Sequence, residues 1–337
     1  MDTDTTRFLH TSDWHLGAPR STWPWHHPNR AAWVERLRSG REAAVRSVVE
    51  LAITNRVDAV LVAGDVLDQP ELERDVKARV ERFVRSEVIE PLRLRGIRLV
   101  LTLGSHDWDS NKPTRAGSLR LLRALEEDYP DDVALLMPPG TAGRKYLEIG
   151  RLVIASELPG ASRTEPWVEL LHNRNHSVGG NPIYGCYGEK HILWMDAKYQ
   201  RCHSGSPLAR TTAGAGGGAG CAGPRHVLLM TVGATLAPEV EPVRLPAAET
   251  CVLNWSGDGW RLTYEWDCLK HRWQPKMLSG EVQDLLHNLR SEYPRLAWVL
   301  FVSKDEPYRL PAPDALGDAI RGEGAHADKL LVWLHGR

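Results

Sequence analysis

The sequence lacks the features that mark a membrane protein, a disulfide-bonded protein or a strongly charged one. No apolar run approaches a membrane span of about 20 residues, and the first ten residues are acidic and polar, unlike a signal peptide. The five cysteines are scattered without a C-x-x-C pair, which argues against a disulfide framework or zinc ribbon and for a reducing compartment. The formal net charge is −1, so the overall charge favours no particular partner. We therefore expect a soluble, cytoplasmic protein without membrane association.

Alternating strand-like and helix-like segments dominate the first part of the chain. A short strand running into a loop is predicted over residues 7–13, and nearly continuous apolar runs predict buried strands over residues 57–65 and 97–103. Amphipathic patterns predict helices over residues 29–55, 73–95 and 118–128. This order predicts an α/β fold with parallel strands, whose ligands gather beyond the carboxyl ends of the strands.

The pattern changes after about residue 133, where short strands and turns predict a second, more antiparallel sheet. The Gly-rich segment 211–224 is predicted to be a flexible loop, because it lacks the Lys-Ser/Thr pair of a phosphate-binding loop. We expect a first domain over residues 1–235, a Pro-rich linker over 236–249 and a small α+β domain over 250–337.

Carboxylates and imidazoles follow the first two predicted strands. Asp13 and His15 form a D-x-H triplet, and in an extended chain both side chains would point to the same side. A carboxylate beside an imidazole is half of a mixed oxygen and nitrogen metal site. Asp65 follows the next strand, where one carboxylate can bridge two cations, and Asp68 is a candidate for orienting a neighbouring ligand. Taken alone, the D-x-H triplet occurs by chance in many proteins, and the Asp65 motif is more typical of a strand that ends in an acidic turn.

Histidines follow three later strands. Ser105, His106 and Asp107 come directly after the strand that ends near residue 103. His172 follows a strand-like run, and a buried histidine bonded to a backbone carbonyl is an equally good interpretation of it. His191 lies in the segment YGEKH, again after a strand.

In this order, the five motifs resemble the calcineurin-like metallophosphoesterase superfamily. The segments HTSDWHLG (10–17) and SGSPLAR (204–210) resemble its SbcD-type DNA repair exonucleases, and the resemblance covers roughly residues 7–232. It implies a layered α/β sandwich with two central mixed sheets flanked by helices. The C-terminal region lies where that family carries a small α+β capping domain. The resemblance further implies hydrolysis of phosphoesters with two divalent metal ions, Mn²⁺ first and Mg²⁺ as the alternative.

The resemblance also implies a role for each motif residue. One metal would be bound by Asp13, His15, Asp65 and His191, with Asp65 bridging. The second metal would be bound by Asp65, His172, Ser105 and Glu189. His106 would meet the scissile phosphate or the leaving oxygen, and Asp107 would hold the other nitrogen of that ring.

Two residues depart from the family pattern, and both belong to the second metal. Ser105 stands where the family has a metal-binding Asn, and Glu189 stands at the first His of a G-H-x-H motif. A Ser hydroxyl is a weaker ligand than an amide carbonyl, whereas an anionic Glu is a stronger hard ligand than a neutral imidazole. We therefore expect a working His106 loop beside a weakened second metal site.

Basic and aromatic residues predict a nucleic-acid substrate. The candidate DNA contacts are Arg30, Arg36, Arg38, Arg41, Trp14 and Trp108. A solvated helix face with ion pairs is the alternative for the arginines, and core packing is the alternative for the tryptophans. The apolar stripes of the same helices are candidates for a homodimer interface, as the resemblance implies.

Three functions remain open from the sequence. The first is an Mn²⁺-dependent DNA nuclease resembling SbcD, dimeric and partnered with an SbcC-like coiled-coil ATPase. The second is a phosphodiesterase or phosphatase acting on nucleotides or other small phosphoesters. The third is a catalytically weakened subunit that binds DNA or a partner, which Ser105 and Glu189 suggest.

Overall fold

The structure is a computed structural model of the chain. The residues that it describes are 5–17, 30–108, 117–157, 166–173, 181–196, 198, 200–208, 222–247, 249–255, 259–268, 270, 272–280, 282–302 and 331–335. The chain divides into two compact units. The first comprises Met1–Pro207 with His226–Leu245, and the second comprises Leu208–Arg225 with Pro246–Arg337.

The first unit contains two sheets and the helices that connect the parallel strands of the first sheet. In chain order its elements are β1 (Thr6–Thr11), α1 (Arg30–Thr54), β2 (Ala59–Val62), α2 (Arg74–Phe83), α3 (Glu90–Arg93), β3 (Arg98–Thr102), α4 (Gly117–Asp128), β4 (Val133–Leu136), β5 (Tyr146–Ile149), β6 (Leu152–Ala155), β7 (Trp167–Leu171), β8 (Tyr184–Tyr187), β9 (Trp194–Met195), β10 (Arg201–His203), β11 (His226–Val232) and β12 (Pro238–Arg244). A π-helical turn, Val84–Ile89, joins α2 to α3. Gly40 lies inside the continuous helix α1.

The first sheet has the strand order β12-β11-β1-β2-β3-β4. Strands β1 to β4 pair in parallel, and β11 and β12 add antiparallel strands at one side. Every residue of β2 and β4 is buried, as expected for parallel strands covered on both faces. The carboxyl ends of β1, β2 and β3 therefore meet at one edge of the sheet, where the first three motifs begin.

The second sheet has the order β5-β6-β7-β8-β10-β9 and is mixed. The prediction of a more antiparallel sheet was wrong, because β6, β7, β8 and β10 pair in parallel and only the two outer pairings are antiparallel. Parallel neighbours place the ends of β7 and β8, which carry the last histidine motifs, at a common edge. The fold class expected from the sequence, two mixed sheets with helices, is confirmed.

The segment predicted to be a linker, residues 236–249, contains strand β12. Its prolines did not prevent pairing, because β12 is an edge strand in which Pro238 and Pro242 need no donor on the open side. The first unit accordingly continues to Leu245.

The second unit is α+β in the part that the structure describes. Its elements are β13 (Glu249–Trp255), β14 (Trp260–Asp267), β15 (Arg272–Leu278), α5 (Val282–Glu292), β16 (Leu296–Val302) and β17 (Leu331–His335). They form one sheet of order β15-β14-β13-β16-β17. Most of the Gly-rich segment predicted to be a flexible loop, residues 211–221 of 211–224, lies outside the described residues. Among the helices described in either unit, none has the length and hydropathy needed to cross a membrane.

Candidate metal centre

Most of the predicted metal ligands come together at the strand ends of the first unit. They form three overlapping groups, in each of which the ligand atoms lie within 4.8 Å of one another. The groups are Asp13, His15 and His191; His15, Asp65 and His106; and Asp13, Asp65 and His172. Asp13 and His15 are fully buried. Residues from five separate motifs thus converge on one buried cluster.

Three residues of this cluster and the neighbouring Glu189 adopt an unusual backbone conformation. The φ angles are 54° at Asp13, 45° at His15, 50° at Asp65 and 67° at Glu189, all in the left-handed region. The extended D-x-H geometry predicted from the sequence was therefore wrong, because β1 ends at Thr11 and the motif lies in the loop beyond it. Such conformations cost of order 1–3 kcal/mol each and persist only where the surroundings hold them.

Serines hold Asp13 in this conformation. Ser12 Oγ donates to the Asp13 carboxylate at 2.5 Å, and Ser206 Oγ donates to the Asp13 carbonyl at 2.7 Å. Ser204 Oγ lies 3.2 Å from Ser12 Oγ. The backbone N–H of Glu189 also donates to the Asp13 carboxylate, at 3.2 Å. The SGSP segment, noted from the sequence only as a resemblance, thus supports a candidate ligand directly.

His15 lies at the centre of the cluster. Its Nε2 is 3.7 Å from the Asp65 carboxylate, and its Nδ1 is 3.4 Å from the Asp68 carboxylate. Its ring stacks on that of His191, with 5.1 Å between the centroids. The position of Asp68 fits the orienting role suggested by the sequence.

His172 combines the two interpretations that the sequence left open. Its Nδ1–H donates to the Ala63 carbonyl at 2.9 Å, which directs Nε2 towards the Asp65 carboxylate at 3.4 Å. Metal-binding histidines commonly donate their second ring N–H to a backbone carbonyl. Burial lowers the pKa of His172, but the Asp65 and Asp13 carboxylates outweigh burial and raise that pKa above its ordinary value.

Two glycines allow the motif loops to pack this closely. A Cβ at Gly104 would overlap the Asp65 carboxylate, and a Cβ at Gly188 would overlap the Ala63 carbonyl and approach His172 Nδ1 to 2.5 Å. The loops after β2, β3 and β8 can therefore meet only without side chains at these two positions.

Asp107 does not hold the His106 ring, contrary to the role that the resemblance implied. Its buried carboxylate accepts backbone N–H groups of Val66 at 3.2 Å, Leu67 at 2.8 Å and Gly104 at 3.0 Å. The reason is local, because a turn in which the N–H of Asp107 bonds to the carbonyl of Gly104 folds this carboxylate back over the Asp65 loop. Asp107 therefore fastens the Asp65 loop to the loop that carries the His106 imidazole.

His106 lies at the edge of the cluster and is half-buried. Its backbone N–H donates to the Asp65 carboxylate at 2.9 Å, and its Nδ1 bonds to the Asp68 carbonyl. Its ring meets the His15 ring edge to face, with 4.9 Å between the centroids. The imidazole is thus held beside the cluster by the backbone at Asp68.

The two residues that depart from the family pattern lie further out. Ser105 is exposed in the turn before His106. Glu189 is also exposed, and its carboxylate accepts a hydrogen bond from Asn173 Nδ2 at 3.1 Å. Among the residues that the structure describes, none of the three ligand groups includes Glu189.

The donor set fits divalent cations. Burial, together with the neighbouring Asp65 carboxylate, raises the pKa of Asp13 to about 7, although His172 opposes this rise. Burial and Asp65 likewise raise the pKa of Asp107 to about 7. Carboxylates buried so close together are unfavourable as anions unless positive charge compensates them. Carboxylate oxygens and imidazole nitrogens are suitable ligands for Mn²⁺ and similar ions.

Two of the candidate DNA contacts are buried in the structure. Arg41 is 4% exposed and donates to the His15 carbonyl, and Trp14 is 2% exposed and donates to Thr11 Oγ1 at 3.0 Å. The prediction that these two residues face DNA was wrong, because their side chains pack inward behind the motif loop. Arg38 and Trp108 are half-buried. The side chains of Arg30 and Arg36 lie outside the described part of the chain.

Comparison with known proteins agrees with this geometry. The profile of the family described as calcineurin-like phosphoesterase matches residues 6–200, more than half of the chain. The chain is 36% identical over 105 residues to the DNA double-strand break repair protein Mre11 of Aeropyrum pernix, a match that covers 31% of this chain and 22% of that protein.

Two further relatives match a segment of similar size. The chain is 35% identical over 101 residues to the SbcD component of the nuclease SbcCD of Escherichia coli K12, covering 30% of this chain and 21% of that protein. It is 35% identical over 107 residues to the uncharacterized metallophosphoesterase YhaO of Bacillus subtilis, covering 32% of this chain and 24% of that protein. The chain therefore matches less than a quarter of the length of these relatives.

Proposed function

The chain belongs to the calcineurin-like phosphoesterase family, and we propose that it hydrolyses phosphodiester bonds in DNA with the help of two divalent metal ions. The observation that carries this proposal is the buried cluster of Asp13, His15, Asp65, His172 and His191. Its carboxylates and imidazoles fall into three overlapping groups with ligand atoms within 4.8 Å of one another, and Asp13, His15 and Asp65 each belong to two of these groups. We propose Mn²⁺ as the preferred ion, with Mg²⁺ as the alternative.

The roles that we propose for the ligands follow the resemblance, and the grouping of Asp13, His15 and His191 supports the first of them. Asp13, His15, Asp65 and His191 would hold one ion, and Asp65 and His172 would hold the second with Ser105 and Glu189 at its exposed side. When bound, such ions activate water and neutralise charge on the phosphate. Asp65, like Asp13 and His15, belongs to two of the three ligand groups, and we propose it as the bridging ligand because the resemblance implies that role.

His106 is the proposed catalytic imidazole. The Asp68 carbonyl accepts from its Nδ1–H, so Nε2 is left as the atom that exchanges a proton with the leaving oxygen. Asp107 acts through the backbone of the Asp65 loop rather than through this ring. We therefore propose Asp107 as a positioning residue and retain His106 alone as catalytic.

DNA as the substrate rests on the named relatives and on the sequence motifs HTSDWHLG and SGSPLAR. The relative from Aeropyrum pernix is named for DNA double-strand break repair, and that from Escherichia coli is named as part of a nuclease. The resemblance to SbcD-type exonucleases leads us to propose in addition a homodimer and an SbcC-like coiled-coil ATPase as a partner. The second unit is proposed as a cap that contributes to DNA binding. Arg38 and Trp108, both half-buried, remain candidate contacts, as do Arg30 and Arg36.

A small phosphoester is the second candidate substrate. It is favoured by the burial of Arg41 and Trp14, which removes two of the residues expected to face DNA. The exposed positions of Ser105 and Glu189 favour a further alternative, a weakened subunit that binds a single ion.

One experiment separates these functions. The purified chain with Mn²⁺ or Mg²⁺ is offered linear duplex DNA, single-stranded DNA and a chromogenic phosphodiester, with Asp65→Asn and His106→Ala as matched variants. We expect DNA cleavage by the native chain and its loss in both variants. Cleavage of the small diester alone would favour the second candidate. Binding of DNA with one metal per chain and no cleavage would favour the weakened subunit. DNA cleavage that persists in both variants would refute the assignment of these residues.

A further inference from the structure

We propose that Arg41 is a positioning residue that fixes the metal-binding conformation of His15 from helix α1. The proposal rests on the proposed function, because it assigns to Arg41 the control of one ion in the candidate metal centre. Arg41 was a candidate DNA contact in the sequence, and its burial requires another explanation.

The Arg41 guanidinium lies against the loop that carries Asp13 and His15. Arg41 is 4% exposed, and its Nη1 donates to the backbone carbonyl of His15 at 3.1 Å. The N–H of His15 donates in turn to the Asp65 carbonyl at 2.9 Å. The backbone of His15 is therefore fastened on both sides, by Asp65 at its N–H and by Arg41 at its carbonyl.

The hydrogen bond from Arg41 restrains a residue whose backbone conformation is unfavourable. His15 has φ 45°, a left-handed conformation that costs of order 1–3 kcal/mol for a residue with a side chain. The conformation aims the imidazole at the Asp65 and Asp68 carboxylates and stacks it on His191. Without the bond from Arg41, the His15 peptide would be free to relax towards an extended conformation, and the ring would turn away from the other ligands.

Helix α1 is itself fixed at this point. Glu42, the next residue, accepts two hydrogen bonds from Arg79 of α2, at 2.7 and 3.0 Å. Arg79 also bonds Glu35, about two turns before Glu42 on α1, at 2.6 Å. Arg41 therefore lies on a part of α1 that hydrogen bonds fix to α2. Its own hydrogen bond holds the His15 loop in place relative to that helix.

The chemistry of the residue also favours a positioning role. Burying a guanidinium is costly unless its N–H groups are hydrogen-bonded. Arginine is therefore rarely fully buried without a specific partner. Its planar fork gives direction to each hydrogen bond, which a flexible lysine ammonium does not reproduce fully. Loss of such a supporting partner typically weakens metal binding about 10–100-fold.

Arg41→Met and Arg41→Lys test the proposal, with Arg46→Met as the matched control. Arg46 is on the same helix, but its side chain is 42% exposed and pairs with Glu87. Mn²⁺ affinity and stoichiometry are measured by titration calorimetry, the Mn²⁺ environment by EPR, and folding by urea unfolding of the metal-free chain. We expect Arg41→Met to bind one of two Mn²⁺ ions about 10–100-fold more weakly, with an altered EPR spectrum. Arg41→Lys should recover part of the affinity, and Arg46→Met should bind as the native chain does.

A folded Arg41→Met chain with native Mn²⁺ affinity and EPR spectrum would overturn the proposal. If Arg41→Met does not fold, Arg41→Lys decides, because native affinity in that variant would overturn the proposal and weaker binding of one ion would support it. Failure of the native chain itself to bind Mn²⁺ would instead refute the proposed function. The two failures are therefore distinguishable.

Discussion

His10 should make the first unit sensitive to mild acid. This residue of β1 is fully buried, with Nδ1 3.2 Å from the Tyr184 hydroxyl and Nε2 3.3 Å from the Tyr187 carbonyl. A neutral ring suits both partners, because Nε2–H donates to the carbonyl and Nδ1 accepts from the hydroxyl. Burial, assisted by the nearby His203, lowers the pKa of His10 to about 3.

The direction and size of this acid sensitivity follow from the difference between the pKa values of His10 in the folded and the unfolded chain. Below about pH 6.5 the unfolded chain takes up a proton at His10 that the folded chain does not, so stability falls as the pH is lowered towards 3. Each pH unit in this window is worth about 1.4 kcal/mol. Proton uptake by His10 in the unfolded chain should therefore lower the free energy of unfolding by about 2 kcal/mol at pH 5 relative to pH 7.5.

The assay is urea unfolding of the native chain and of His10→Gln at both pH values, followed by tryptophan fluorescence. The unfolding free energy of the native chain, relative to that of His10→Gln, should fall by about 2 kcal/mol on going from pH 7.5 to pH 5. Leu9→Ala, a buried and non-titrating change in the same strand, is the control and should destabilise equally at both pH values. Parallel pH dependence of the native chain and His10→Gln would refute the reasoning, as would NMR titration of His10 near pH 6.5.

Three further changes test how the metal centre is built. Ser206→Ala removes the hydrogen bond to the Asp13 carbonyl, and we expect a loss of about 1 kcal/mol in unfolding free energy with weaker Mn²⁺ binding by calorimetry; unchanged values of both would contradict the role of the SGSP segment. Gly188→Ala would place a Cβ 2.5 Å from His172 Nδ1, and we expect about 1–3 kcal/mol of destabilisation and loss of one Mn²⁺ ion, which native stoichiometry in the variant would disprove. Ser105→Asn should raise the affinity for the second ion, measured in the same titration, because an amide carbonyl is a better ligand than a hydroxyl; no gain would mean that position 105 lies too far out to ligate.

Much of the candidate site could be predicted because its signals are local. Asp13, Asp65, His106 and His191 each follow a strand, and strand ends of a parallel sheet meet at one edge. The order of these motifs along the chain identified the family, which the match over residues 6–200 confirms. The roles of the individual residues remain predictions.

Other features could not be read from the sequence, because they depend on which distant groups become neighbours. Pro238 and Pro242 suggested a linker, yet the open edge of the first sheet tolerates them in β12. Arg41 and Trp14 suggested DNA contacts, yet both are buried, Arg41 donating to the His15 carbonyl and Trp14 to Thr11 Oγ1.

The sequence by itself thus determined the chemistry of this protein, namely which carboxylates and imidazoles follow the strands of an α/β fold. Residue type and spacing suffice for that, because strand periodicity and strand ends are local properties of the chain. Only the tertiary structure decided what each supporting residue does. Asp107 bonds the loop after β2 rather than the His106 ring, and Arg41 bonds the His15 carbonyl rather than a phosphate. The physical reason is that a buried polar group must find a partner, and that partner comes from wherever the fold brings a complementary atom within reach.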